Sequence, residues 1–347
     1  MATNTLKNTR VIRTSYVNES EISVDNFRVE TVDIKVALNE GEFLLKNLYM
    51  SLDIYIRHFF NKDYRVPEEL KQLNIPIIGL GVSEVIETKN STYPVGTIVS
   101  GNTGWETYSI GKEKNDFRVL ENARQSVVPL SHYVGALGMP GLTAYAGLKS
   151  IGEIKAGETI FIASAAGGVG QLVGQLAKHQ GLRVIGSAGS DEKVDYLTKH
   201  QKFDAAFNYK THNTQTELSK LAPNGIDVYY DLVGGETLDI VLDQMNDNGR
   251  IVSVGMLSQE NGEKPYPLKH LHLIAPKNIR LQGFIYWYHT QYWNDLDTKV
   301  APMLKSGEII YRENVIDGLE NAPQTFVDLL NGKYPGKVVI KIAEASQ

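Results

Sequence analysis

The stretch Thr159-Ile-Phe-Ile-Ala-Ser-Ala-Ala-Gly-Gly-Val-Gly170 constrains this chain more than any other. A β-prone run feeds a turn of small residues, and a helical pattern starts near Val169. Small side chains let the backbone come close to a pyrophosphate, while a helix N-terminus supplies amide donors and a favourable dipole. Gly170 stands where close packing of helix on strand calls for a glycine. Ala165 occupies the place of the fingerprint's first glycine, so the turn alone also fits a purely structural role.

Its context narrows the reading. Six candidate strands follow one another at Thr159–Ser164, Arg183–Ser187, Ala205–Asn208, Asp227–Asp231, Arg250–Val254 and Arg280–Ile285. Helical stretches such as Gly170–Gln180 and Asp191–Lys199 lie between most of them. This alternation predicts an α/β domain with a doubly wound, six-stranded parallel sheet. Before it, residues 10–129 read as short strands broken by Gly, Asn and Pro, which predicts a partly open β-barrel. After a helix-like stretch beyond Tyr288, Glu308-Ile-Ile-Tyr311 and Lys337-Val-Val-Ile-Lys341 read as strands returning to the first domain. The expected divisions are residues 1–133, 134–302 and 303–347.

The second of the six strands is the more discriminating. An NAD site usually places an Asp or Glu about 20 residues beyond the glycines, on the ribose 2′-hydroxyl. Here the strand runs out as Gly186-Ser-Ala-Gly-Ser190 with no carboxylate at its tip. Ser190 reads as an N-cap, which puts Asp191 and Glu192 in the first helical turn. Lys193 and the phenol of Tyr209 could instead pair with a 2′-phosphate, so the pattern favours NADPH over NADH. A surface lysine and a half-buried tyrosine remain the plainer alternative.

Composition excludes several functions. A net charge of −5 with dispersed lysines and arginines gives neither the basic stripe of a nucleic-acid binder nor a polybasic membrane patch. No apolar run approaches the ~20 residues of a membrane span, and Met1–Arg13 lacks an apolar core, so the cytoplasm is the default location. With no cysteine, disulfides and thiolate metal sites are ruled out. His270 and His272 form a His-x-His pair that a strand would put on one face with no third ligand, and no metal site is expected. No Gly-x-Ser-x-Gly elbow is present.

Ordered motifs through nearly the whole chain resemble one family. They include Asp53-Ile-Tyr-Ile-Arg57, Gly104-Trp-Glu-Thr-Tyr-Ser109, Gly138-Met-Pro-Gly-Leu-Thr-Ala-Tyr-Ala-Gly147, Ala163–Gly170, Gly186–Lys193, Phe207-Asn-Tyr-Lys210 and Gly249–Met256. The chain is similar to the zinc-independent medium-chain dehydrogenases/reductases, specifically the NADPH-dependent alkenal/one double-bond reductases related to leukotriene B4 12-hydroxydehydrogenase/prostaglandin reductase. The resemblance implies a GroES-like catalytic domain, a Rossmann domain, NADPH and a homodimer. It implies pyrophosphate contacts at Ala166, Gly167, Gly168 and Val169, and puts Gly189, Lys193 and Tyr209 around the 2′-phosphate. Gly255, Met256, Phe284 and Ile285 would line the nicotinamide ribose, with Met139 and Thr143 near the nicotinamide. Three positions depart from the family pattern. Glu260 replaces a tyrosine proposed to help catalysis, Leu232 replaces an asparagine before Val233-Gly-Gly235, and Tyr334 replaces an asparagine in the cofactor-linked Gly332-Lys-Tyr-Pro-Gly-Lys337.

The activity this implies is reduction of the C=C bond of an α,β-unsaturated aldehyde or ketone. Hydride reaches the β-carbon, and donors aimed at the carbonyl oxygen stabilise the enolate charge. Tyr55 is the first candidate donor, with Tyr286 and Tyr288 behind it; a tyrosine is otherwise more often a packing residue. Glu260 reads best as a solvated loop carboxylate beside Asn261-Gly262. Two alternatives stand: a quinone reductase using the same hydride, and a non-catalytic NADPH-binding sensor. The aromatic residues of Phe284–His289 with Tyr292-Trp293 fit an apolar substrate pocket, a core or a dimer seam.

Overall fold

The computed structural model describes residues 5–17, 21–112, 117–121, 123–125, 128–259 and 265–346. The chain divides into two compact units, Met1–Gly138 with Glu313–Gln347, and Met139–Arg312.

The first unit opens with β1 (Thr5–Arg13) and β2 (Phe27–Lys35), an antiparallel pair. It continues through β3 (Glu42–Leu52), the short helix α1 (Glu68–Lys71), β4 (Ile78–Thr88), β5 (Ile98–Gly104), β6 (Tyr108–Lys112) and β7 (Arg118–Val119). In the second unit, α2 (Met139–Ala146) precedes a regular alternation. This runs β8 (Thr159–Ile162), α3 (Gly170–His179), β9 (Arg183–Ala188), α4 (Asp191–Asp195), β10 (Ala205–Asn208), α5 (Thr214–Leu221), β11 (Ile226–Asp231), α6 (Gly235–Gln244), β12 (Met245–Ser253) and β13 (Arg280–Gly283). The unit ends with α7 (Trp293–Asp295) and α8 (Ala301–Ser306). The chain then rejoins the first unit through β14 (Glu313–Asp317), α9 (Ala322–Leu330) and β15 (Lys337–Lys341).

In the first unit β15 pairs antiparallel with β3 and parallel with β14, giving the order β14-β15-β3-β4-β5-β7, with β6 also on β3. The alternation of β3 sends Phe43, Leu45 and Met50 into apolar clusters. One of these gathers Phe27, Phe60, Trp105 and Phe326, with Phe27 and Trp105 stacked at 6.3 Å. The second unit holds a fully parallel sheet in the order β10-β9-β8-β11-β12-β13. This is the doubly wound order in which ligands bind beyond the carboxyl ends of the strands, where the strand order reverses between β8 and β11. Strands covered on both faces read as continuous apolar runs, and Ile160, Phe161 and Ile162 are all buried. Phe161 stacks on Phe207 and Tyr229 at 6.1 and 5.4 Å.

Two local expectations are corrected. Residues 308–311 are not a strand; the strand begins at Glu313. Side-chain amides occupy the backbone groups that a ladder would use. Gln175 both donates to the Ile310 carbonyl (2.9 Å) and accepts from its N–H (2.8 Å), and Gln201 donates to the same carbonyl. Nor are His270 and His272 on a strand. His270 caps a 3-10 turn at Leu271–Leu273 and its Nδ1 lies 3.1 Å from Asp239, which also accepts the His270 and Lys269 amides. No helix among the described residues is long and apolar enough to cross a membrane.

Candidate cofactor and active site

The turn after β8 is held from both sides. Ala165 N–H donates to the Ser187 carbonyl of β9 (2.8 Å), and Gly167 N–H returns to Ser164 (3.1 Å). The left-handed backbone is taken by Ser164 (φ 53°), one residue before the missing first glycine, which is why alanine suffices at 165. Gly170 is a different case: a Cβ there would stand 2.7 Å from the Ala165 Cα and the Ser164 carbonyl oxygen. Only glycine lets α3 approach this closely. No side chain caps α3 at Val169; its buried first turn bonds Gln171 and Leu172 N–H to the Gly167 and Val169 carbonyls (3.2 and 3.0 Å), and the positive end of the helix dipole lies at the turn after β8.

The tip of β9 gathers cations. Ser190 caps α4 by accepting from Lys193 N–H (3.3 Å), as its position in the sequence predicts. The Asp191 carboxylate is occupied by the Asn208 amide (2.8 Å), and Glu192 lies 3.4 Å from Arg312. Both acids thus have a partner on the protein, Asp191 on Asn208 and Glu192 on Arg312. Tyr209 is 51% exposed, more open than expected. A Cβ on Gly189 would meet its hydroxyl at 3.1 Å and Lys210 Cε at 3.4 Å, so Gly189, Tyr209 and Lys210 form one recess. Half-buried Lys193 belongs to the same cluster. Its pKa is lowered by burial and then by Lys210, against an opposing pull from Glu192, with Arg312 adding to the lowering. The cationic side chains of Lys193, Lys210 and Arg312 are thus close enough to influence one another, a concentration of positive charge that suits an anion.

Lys210 and Arg312 were not singled out from the sequence. Lys210 adjoins Tyr209 and was within reach of that reasoning. Arg312 is brought in by Gln171 on α3, which donates to the Arg312 carbonyl (3.1 Å) and accepts from its N–H (2.9 Å). The Arg312 guanidinium also lies over the Tyr196 ring at 5.2 Å. No local pattern signals such a placement.

Gly255 and Met256 follow β12 and are tied to the loop after β11. The Asp231 carbonyl accepts from Val254 and Gly255 N–H at 2.9 and 3.3 Å. Its carboxylate accepts at one oxygen from Tyr229 hydroxyl (2.7 Å), Val233 N–H (3.0 Å) and Gly234 N–H (2.7 Å). The second oxygen is buried without a partner, and burial pushes the Asp231 pKa up. Leu232, at a departure from the family pattern, contributes its carbonyl to Leu257 N–H. Asp231→Asn keeps the accepting oxygen but places an amide where nothing accepts it, a cost of about 1–2 kcal/mol. Expected are a lower denaturation midpoint and a raised KM for nicotinamide cofactor; a variant matching the parent in both would show that the carboxylate does not organise these loops.

Thr143 is buried on α2, and its carbonyl accepts from the Tyr230 hydroxyl (2.7 Å); Met139 opens the same helix. Phe284, buried after β13, donates its N–H to Ser253 (3.0 Å), while Ile285 is exposed and Tyr286 begins the turns 286–292. Thus Ala166–Val169, Gly189, Tyr209, Gly255–Met256 and Phe284–Ile285 all lie just past the carboxyl ends of parallel strands, and Lys193 in the first turn of the helix after β9.

In the first unit, Tyr55 sits on the 3-10 turn Ile54–Phe60, on the border of exposure, edge-on to Phe59 at 5.9 Å. Buried Arg13 donates to the Phe59 and Gln72 carbonyls and lies over Phe60 at 5.2 Å; burial pulls its pKa down to about 10. Asp53, which opens the turn, accepts from Lys337 Nζ (2.6 Å) and Ser51. Tyr334 packs on the same unit's core, its hydroxyl 3.5 Å from Asp328. Glu260 and Asn261 lie outside the described residues.

Residues 168–304 match the family described as zinc-binding dehydrogenase, and residues 11–119 that described as the N-terminal domain of oxidoreductase. The chain nevertheless has no cysteine, and among the described residues no group of three His, Asp or Glu could hold a metal ion. It is 40% identical over 331 residues to the NADP(+)-dependent 2-alkenal reductase of Nicotiana tabacum, with 95% of each chain covered. To prostaglandin reductase 1 of Bos taurus it is 40% identical over 319 residues, covering 91% of this chain and 94% of the relative. The crystal structure of CurA from Vibrio vulnificus in complex with NADPH superposes with a TM-score of 0.86 at 33% identity, over 97% of this chain and 99% of that one.

Proposed function

The chain belongs to the zinc-independent, NADPH-dependent double-bond reductases of the medium-chain dehydrogenase/reductase superfamily, and from that premise we propose how it works. It is an oxidoreductase that reduces the C=C bond of α,β-unsaturated aldehydes or ketones with NADPH. The observation that carries the cofactor reading is the recess of Gly189, Lys193, Tyr209 and Lys210 at the tip of β9, with both nearby acids already engaged. Lys193, Tyr209 and Lys210 would hold the 2′-phosphate, and the turn Ala166–Val169 the pyrophosphate. Gly255, Met256, Phe284, Ile285, Met139 and Thr143 are assigned to the nicotinamide end. Tyr334 is assigned to the cofactor on the resemblance alone.

NADPH, when bound, supplies a hydride. The chain's part is to orient the substrate and stabilise the enolate oxygen that develops on it. Tyr55 is the first candidate donor and Tyr286 the second. Tyr55→Phe is expected to lower kcat at least about a hundredfold with the NADPH KM unchanged; an unchanged kcat would move the role to Tyr286. The reaction itself is tested by following NADPH and NADH oxidation with 2-alkenals, an aryl enone and a simple quinone, identifying each product. A saturated carbonyl formed with NADPH supports the reading. Turnover confined to the quinone would replace it with a quinone reductase.

Lys193 is the group to follow with pH. Its ammonium is held below the ordinary lysine pKa by burial and by Lys210 and Arg312. A phosphate dianion opposes these effects, so cofactor binding favours the protonated form. Affinity for NADPH is therefore full below the depressed pKa and declines as pH rises through it, while affinity for NADH stays flat. In the cofactor-free chain the charged lysine costs stability, and that cost fades as pH rises from its folded toward its unfolded pKa. Fluorescence titrations of both cofactors from neutral to about pH 10 read the difference; parallel curves would refute the assignment.

A homodimer goes with this reading. All four residues of the outermost strand β13 are exposed, and Ile285, Trp287 (54% exposed) and Tyr288 (75%) follow it. An edge strand followed by exposed apolar side chains is a template for its own copy about a two-fold axis. Light scattering that returned the mass of one chain would exclude it.

A further inference from the structure

The second unit carries a cavity of about 560 Å³ that the cofactor reading does not use. Leu148, Ile154, Leu176, Val300 and Met303 give it an apolar lining. Its walls come from the segment before β8, the end of α3 before β9, and α8. The first two of these lead into the amino ends of β8 and β9, opposite the turns that follow those strands. The volume falls within the roughly 300–1,000 Å³ typical of small-molecule sites.

Two ammonium groups also line the cavity, Lys149 and Lys299. Both lie 3.1 Å from the same oxygen of Asp295, which also accepts from the Tyr145 hydroxyl at 2.7 Å. Two cations against one carboxylate leave a single positive charge in excess. The side chains of Lys149 and Lys299 are 48% and 55% exposed, so each ammonium keeps donors for another partner. Of the other ionisable groups lining the cavity, Glu153 lies 3.1 Å from Arg280, and His179 Nδ1 lies 2.7 Å from Glu308.

We propose that this cavity is a second ligand site, for an amphipathic monocarboxylate whose apolar chain lies against Leu176 and Met303 and whose carboxylate meets Lys149 and Lys299. One excess charge beside an apolar lining matches a monoanion with a hydrocarbon body better than a neutral or dianionic ligand.

Calorimetric titration of decanoate into the full chain saturated with NADP+ tests this, with decanol as the neutral control. Decanoate should bind, and Lys149→Gln/Lys299→Gln should weaken it at least about tenfold, the scale of one lost charge-assisted hydrogen bond. Met303→Trp, which fills the cavity, should abolish binding. Both variants should keep enal turnover, which shows that they are folded and that the probe is not read out in the substrate site. Absence of decanoate binding, binding that survives both variants, or decanol binding as tightly as decanoate would each overturn the proposal.

Discussion

Exchanging Lys193 for alanine is expected to raise the KM for NADPH by roughly 30- to 150-fold while leaving the KM for NADH nearly unchanged. The magnitude is that of a hydrogen bond to a charged group, about 2–3 kcal/mol, converted at 1.4 kcal/mol per decade. The asymmetry follows from geometry: Lys193 stands with Tyr209 and Lys210 at Gly189, beyond the end of β9, where only a 2′-phosphate distinguishes the two cofactors. Tyr209→Phe removes a neutral donor and should cost less, about fivefold. Arg312→Ala should fall between them, since Arg312 shares its charge with Glu192 at 3.4 Å. The three will not add, because removing one cation relieves repulsion among the others. Steady-state kinetics with both cofactors provides the check. An equal rise for NADH and NADPH would mean that Lys193 supports the fold of the recess rather than the phosphate; no change for either would make it an ordinary surface lysine.

What could be read in advance were features enforced within a few neighbouring residues. The alternation from Thr159 onward needs one strand and one helix at a time, and Ser190 announces its cap through its own side chain. The glycine at 170 is legible because the packing it permits is between adjacent elements, with a Cβ 2.7 Å from the turn just before it. Ile309-Ile310-Tyr311 misled for the complementary reason. Its β propensity is real, but the Ile310 backbone bonds Gln175 and Gln201 and the next-but-one residue, Arg312, bonds Gln171, all more than a hundred residues away, and a propensity carries no knowledge of such partners. Arg312 was hidden by the same amides. Asp231 read only as the last residue of a strand; that its carboxylate gathers three donors and its carbonyl two more depends on loops that follow two different strands. Conversely Tyr55, Tyr286 and Tyr334 were singled out by motif resemblance. Packing or periodicity gave no independent signal for them.

The largest effect on stability is expected in the first unit, where Lys337→Met should cost about 3–5 kcal/mol. Lys337 is 4% exposed and donates to the Leu52 carbonyl (2.8 Å) as well as to Asp53 (2.6 Å). Removing it leaves the Asp53 carboxylate buried with Ser51 as its hydrogen-bond partner, and an uncompensated buried charge outweighs the methylenes that methionine retains. The double variant Lys337→Met/Asp53→Leu removes the charge together with its partner and should recover most of the loss, because an apolar pair of similar volume avoids the desolvation cost. Denaturation midpoints of the parent, both single variants and the double variant form the cycle that isolates the coupling. A Lys337→Met midpoint within about 0.5 kcal/mol of the parent would sink the argument. The pair also has a catalytic reading, since Asp53 opens the turn that carries Tyr55 and Lys337 opens the strand that returns the C-terminal segment to β3. If the ion pair only holds the unit together, kcat in the double variant recovers along with stability. If it positions Tyr55, stability recovers while kcat stays low, and that separation distinguishes a positioning residue from a structural one.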